Sequence, residues 1–232
     1  MNRNYRTFAV YYFATMTAVA MMGVILFLSA WTVHYWQAWL LMAAMLGSVG
    51  LMILGCIVRH ELLPVQRSSE RSQDRSWSQT ATLRIVESIA GLAFVALLIL
   101  PGVDHRFGWS SVPPWVSLPA ALLFAAGILI TYRVGREKIR WSSAITEEKR
   151  DRQVISTGPF AVVRSPLQTG ILLYQGAMPV ALGSWWGLVP FAVVLVLNVV
   201  ALLCMERAMR QMVPGYADYL DRVEYRLVPY VW

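Results

Sequence analysis

The sequence predicts an all-α, polytopic membrane protein with about six transmembrane helices and a cytoplasmic, interfacial C-terminal segment. Three observations carry this. Of 232 residues, 57% are apolar and only 14% charged, whereas a soluble domain carries about 25% charge. Six apolar segments each have the roughly 20 residues that a helix needs to cross about 30 Å of hydrocarbon. The basic residues are also distributed very unevenly between the connections.

The expected spans are 7–30, 34–58, 83–103, 115–134, 166–183 and 185–204. The first follows Arg3 and Arg6 but is too long for the apolar core of a signal peptide, so it reads as a retained helix. Only Gly183 and Ser184 separate the fifth and sixth, which predicts a tight hairpin. Trp185 and Trp186 would sit at the interface, and Pro179 and Pro190 would kink the arms. Of 20 Lys and Arg residues, all but Arg106 fall at the termini, between or beside spans 2 and 3, or between or beside spans 4 and 5. The positive-inside rule therefore places both termini in the cytoplasm, which requires an even number of helices. The net charge of +7 then reflects topology and contact with anionic lipid rather than nucleic acid, for which no motif is present.

Residues 1–134 read as a four-helix transmembrane region. Residues 135–232 read as a cytoplasmic loop, the hairpin and a C-terminal tail. The outer loops are short, and the 104–114 loop with Asp104, His105 and Arg106 offers little room for chemistry. On the cytoplasmic side, 59–82 is a Ser/Arg-rich connector and 135–165 carries dense charge, including Glu147, Glu148 and Asp151. The tail mixes arginine with Tyr216, Tyr219, Tyr225, Tyr230 and Trp232, a composition suited to the headgroup level. Arg84 and Glu87 are spaced for an interfacial ion pair. Cys56 and Cys204 give no disulfide framework. His34, His60 and His105 fall on different loops, so no metal site is expected.

The stretch from Ser156 to Gly170 stands out. Gly158-Pro159 is a turn signal, Pro166 suits the first turn of a helix, and Arg164 sits just before that helix. Free N–H groups at the helix start plus an arginine could hold a carboxylate or phosphate, although a plain loop-to-helix junction has the same pattern. On a helical wheel Gln168 and Gln175 share one face of span 5. Asn198 and Met205 share one face of span 6, with Glu206 about 80° away at 100° per residue. Either a polar pocket between the hairpin arms or simple interhelical hydrogen bonding would account for Gln175 and Asn198.

The pattern Gly158-Pro159-Phe160-x-x-x-Arg164-x-Pro166, then a hydrophobic hairpin, then Glu206, resembles the isoprenylcysteine carboxyl methyltransferase and phospholipid methyltransferase group of membrane enzymes. The ending Pro214-Gly215-Tyr216-Ala217-Asp218-Tyr219 through Arg222, Tyr225, Arg226 and Pro229 is similar to the tail of bacterial members. The resemblance implies an S-adenosylmethionine-dependent methyltransferase in the bacterial inner membrane, acting on a lipophilic or amphiphilic substrate that enters from the bilayer. It implies cofactor binding by Gly158, Phe160, Arg164, Pro166 and Glu206, with Arg164 and Glu206 also at the catalytic centre. Three positions depart from the family pattern: Ser165 stands for histidine, Gln168 for tyrosine and Met205 for an acidic residue. They define an alternative, a membrane protein of the family fold that has lost the methyl-donor site and binds or transforms a lipophilic ligand by other means. The substrate and the oligomeric state are not legible.

Overall fold

The computed structural model describes residues 2–58, 81–144, 157–212 and 216–227, with side chains from Phe13 onward in the first helix and from Ser88 onward in the third. Seven α-helices and one 3-10 turn make up the described chain. They are α1 (Asn2–Ala30), α2 (Trp36–Val58), α3 (Ala81–Phe107), α4 (Pro114–Ala144), the 3-10 turn Gly158–Ala161, α5 (Pro166–Ala181), α6 (Leu188–Met212) and α7 (Tyr216–Arg222). The Ser/Arg-rich connector, the acidic run at 147–151, and Pro214, Gly215, Pro229, Tyr230 and Trp232 lie outside the described residues. So do the side chains of Cys56, Arg84 and Glu87.

Among the described residues five helices, α1 to α4 and α6, are long and apolar enough to cross a membrane. The fifth expected span differs. Helix α5 has 16 residues, about 24 Å at 1.5 Å per residue, short of the roughly 30 Å of hydrocarbon. Pro166 fixes its start, and Gly183, at φ +80°, takes the left-handed conformation that ends it. The sixth span also begins later, at Leu188, because the chain from Leu182 to Gly187 is used as a connection. This puts Pro190 in the first turn of α6, where proline is tolerated without a kink. Large apolar side chains such as Leu28, Leu54, Leu92, Leu122 and Val196 are exposed on the outer faces, as lipid-facing residues are in a helix bundle.

The short α5 stays in the bundle by close packing. It lies against α4, with Gly127 facing Gly170. A Cβ on Gly127 would come within 2.6 Å of the Tyr174 nitrogen, and one on Gly170 within 2.5 Å of the Thr131 hydroxyl. Small residues at such a crossing let two backbones approach, which supplies the dispersion contact that replaces the hydrophobic effect in lipid. Helix α1 packs on α2 and α3, α2 on α4, and α3 on α6. Leu26, Tyr35, Leu41, Leu97, Phe124, Met178 and Leu182 form the core where these helices meet.

The two ends of the bundle differ chemically. At one end Trp31, Trp36, Trp39, Trp109, Trp115, Trp185 and Trp186 are all exposed, forming the aromatic belt of a membrane interface. The same end holds a polar staple. The residues expected to lie in an outer loop, Asp104 to Arg106, instead form the last turn of α3, and Asp104 is fully buried. Its carboxylate accepts from the Ser110 amide at 2.8 Å, the Ser110 hydroxyl at 2.5 Å and the Ser184 hydroxyl, tying α3 to the α5–α6 turn. The buried Tyr35 hydroxyl donates to the Leu182 carbonyl at 2.5 Å, and its ring stacks on His105. The other end gathers the C-termini of α2, α4 and α6, the start of α5, and α7.

Candidate functional site

The 3-10 turn and the four residues after it set the geometry at the second end. Gly158 has φ +58°, a conformation that glycine adopts without a Cβ penalty, and faces the Glu137 side chain of α4. Thr157 donates its hydroxyl to Glu137 Oε1 at 3.1 Å, fixing the turn on α4. Pro166 then opens α5, and Arg164 lies two residues earlier, aimed under the C-terminal segment.

Arg164 and Glu206, 42 residues apart, meet there. Arg164 Nη1 donates to Glu206 Oε1 at 3.3 Å, Nη2 to the Leu220 carbonyl at 2.8 Å, and Nε to the Val223 carbonyl at 2.6 Å. The second Glu206 oxygen lies 3.3 Å from Arg226 Nε. The Arg164 and Glu206 side chains are only 12% and 9% exposed, while that of Arg226 is 33% exposed. This is a buried carboxylate between two guanidiniums, with one guanidinium on the rim.

Backbone bonds close the same seam. The Arg164 and Ser165 amides donate to the Tyr225 and Arg226 carbonyls at 2.8 and 3.0 Å, and Thr169 Oγ1 donates to Leu227 O at 2.6 Å. Tyr219 donates its hydroxyl to the Phe160 carbonyl at 2.8 Å. Tyr216, Tyr219, Leu220 and Val223 cluster beneath with Met209. Burial, then the neighbouring Tyr216, pushes the Tyr219 phenol up to about 12. Burial, then the Glu206 carboxylate, raises that of Tyr216.

Gly158, Phe160, Arg164, Pro166 and Glu206 therefore occupy one end of the molecule, with Arg164 and Glu206 in direct contact. On α6, Met205 is 53% exposed and Glu206 is buried at 7%. The Asn198 amide donates to Val194 O in its own helix at 2.8 Å rather than across the hairpin. Gln175 is buried, and its Oε1 has no hydrogen-bond partner among the described residues. Arg226 belongs to the tail motif but not to the site residues expected from the sequence, since its ion pair with Glu206 depends on tertiary pairing.

Among the grooves that open on the described residues are two that lie away from the α5–α6 hairpin. One, of about 780 Å³, is apolar and runs between α1 and α2 beside Trp31. The other, of about 790 Å³, lies between α2 and α4 at the arginine-rich end and reaches Pro159.

The apolar helical bundle is that of an integral membrane protein, and part of it is similar to a family of membrane methyltransferases. The phospholipid methyltransferase family model matches residues 116–216. That stretch runs from the start of α4 to the first residue of α7, and includes Gly158, Arg164 and Glu206. The match is consistent with the isoprenylcysteine and phospholipid methyltransferase group that the motifs resemble. No curated protein matches the chain.

Proposed function

We propose that the chain is an S-adenosylmethionine-dependent methyltransferase acting on a lipophilic or amphiphilic substrate. The arginine-rich end, with both termini, faces the cytoplasm, as the positive-inside rule requires. The observation that carries the reading is the buried Arg164–Glu206 pair inside the stretch that matches the phospholipid methyltransferase family.

The donor molecule combines a sulfonium cation with a zwitterionic amino acid tail. It calls for a carboxylate, a cation and a dry aromatic wall. Glu206, Arg164 with Arg226, and Phe160 with Tyr216 and Tyr219 supply those types, and Gly158 leaves the backbone open beside them. In this structure the charged groups pair with one another, so donor binding has Arg226, the most exposed of the three, give up Glu206. Arg164, held by two carbonyls, keeps Glu206 in place. When bound, S-adenosylmethionine supplies an electrophilic methyl group. The protein's part is to orient that group toward the bilayer-borne acceptor and to exclude water, with α7 and the 223–227 segment as cover.

Membranes containing the full-length protein, supplied with methyl-tritiated S-adenosylmethionine, should accumulate label in the chloroform-soluble fraction. Arg164→Met and Glu206→Gln should abolish this. Label at the level of protein-free membranes would reject the reading.

One observation favours a second reading, loss of the donor site. Ser165, Gln168 and Met205 stand where the family has histidine, tyrosine and an acidic residue. On that reading Ser165→His, Gln168→Tyr and Met205→Glu together create donor binding that the wild type lacks, while equal binding by both forms removes it.

A further inference from the structure

A second carboxylate stands beside the turn that leads to Arg164. Glu137, half-buried on α4, runs along Gly158. A Cβ built on that glycine would come within 3.3 Å of Glu137 Cγ and Cδ and 3.4 Å of Oε1. The bare glycine, at φ +58°, thus lets the carboxylate approach the backbone of the turn. Among the described residues Glu137 accepts one hydrogen bond, from the Thr157 hydroxyl to Oε1 at 3.1 Å. Glu137 and Pro159 both line the groove of about 790 Å³ between α2 and α4. The carboxylate is therefore reached from open space and is not sealed inside the bundle.

We propose that Glu137 holds the ribose of the methyl donor, its carboxylate accepting from the vicinal hydroxyls at the groove mouth beside Gly158. The inference rests on the donor reading above and extends it. That reading gives Glu206 to the cationic half of the donor and the arginines to its tail carboxylate. It leaves the nucleoside hydroxyls without an acceptor. Chemistry selects the diol among the donor's remaining groups. Two adjacent O–H groups match the two oxygens of one carboxylate, and hydrogen bonds to an ionised acceptor are about twice as strong as neutral ones. The adenine edge is a poorer match, because its ring nitrogen is an acceptor that a carboxylate repels. Glu137 already takes one hydroxyl, from Thr157, and the Thr157 oxygen keeps lone pairs for a ligand hydroxyl. The short turn also links the two halves of the site. Gly158 faces Glu137, and two residues on the Phe160 carbonyl accepts from Tyr219 of the C-terminal cover.

The test reads binding and not turnover. The purified full chain in detergent is titrated calorimetrically with S-adenosylhomocysteine and with its dideoxyribose analogue, which lacks both hydroxyls. The wild type should bind the diol-bearing ligand at least about tenfold more tightly, as a hydrogen bond to a charged acceptor is worth roughly that factor or more. Glu137→Gln keeps an acceptor for Thr157, so the turn stays anchored. It should abolish most of the preference by weakening the diol-bearing ligand alone. Thr157→Val removes the anchor but leaves the carboxylate, and should preserve the preference. Glu137→Asp draws the carboxylate back by one methylene and should reduce the preference, so it serves if Glu137→Gln does not fold. Equal affinity of the wild type for the two ligands would overturn the proposal. So would an equal loss for both ligands in Glu137→Gln, or a Thr157→Val protein that no longer distinguishes them, since either would show that Glu137 acts only by anchoring the turn. These outcomes leave the donor reading standing. Folded wild-type protein that binds neither ligand would instead overturn the donor reading, and the proposal with it.

Discussion

Glu206 holds two guanidiniums at once, Arg164 on Oε1 and Arg226 on Oε2, each at 3.3 Å. The contact joins α6, the loop before α5 and the C-terminal segment into one unit. Removing one partner of a buried pair leaves an uncompensated charge and costs about 3–5 kcal/mol. Glu206→Ala should therefore loosen the segment after α7, and limited trypsin digestion should cut after Arg222 and Arg226 faster than in the wild type. An unchanged cleavage rate would mean that the carbonyl bonds of Arg164 alone hold the seam.

Tyr219 makes the same seam sensitive to alkali. Its folded-state ionisation lies at about 12, against an ordinary value of 10.0, because burial disfavours the phenolate. The unfolded phenol loses its proton first as pH rises, so docking is fully present below about pH 10 and weakens between about pH 10 and 12. Protease protection of the tail across that range should follow this course, and Tyr219→Phe should flatten the part due to Tyr219.

At the opposite end Asp104 anchors the hairpin turn. Each hydrogen bond to a charged acceptor contributes about 1.5–3 kcal/mol. Asp104→Ala strips the acceptor from Ser110 and Ser184 together and should lower the Tm in detergent by several degrees. Ser184→Ala removes one of these bonds and should cost less. An Asp104→Ala protein as stable as the wild type would show the staple to be incidental.

The α4–α5 contact tolerates no added side chain. Gly170→Val places atoms on the Thr131 hydroxyl and the α4 backbone, and overpacking of this kind costs about 1–3 kcal/mol or more. It should lower the Tm clearly. Gly47→Ala, where a Cβ meets nothing within 4 Å, should not.

Much of this architecture is legible in the sequence, and the gaps have physical causes. Spans α1 to α4 and α6 follow from apolar length. The approach of Arg164 to Glu206 follows from motif order once the hairpin is recognised. The length of α5 is not legible from hydropathy, because the apolar run to Gly183 includes residues that form the turn. Asp104 reads as a loop residue, since a charge near the end of an apolar run marks a boundary by composition, while the helix continues through it. The facing of Glu206 is not legible from the wheel, because the two polar residues of α6 lie about 80° apart and Asn198 satisfies its amide within its own helix. The C-terminal cover, with Arg226 and the Tyr225 and Leu227 carbonyls, depends on tertiary pairing that has no periodic signal.

The central claim is that Arg164 and Glu206 frame a methyl-donor site. Isothermal titration of the purified, detergent-solubilised protein with S-adenosylmethionine tests it most directly. A saturable one-to-one heat in the wild type, lost in Glu206→Gln protein with wild-type elution and helix content, is the predicted result. The absence of any binding heat from folded wild-type protein at millimolar donor would contradict it.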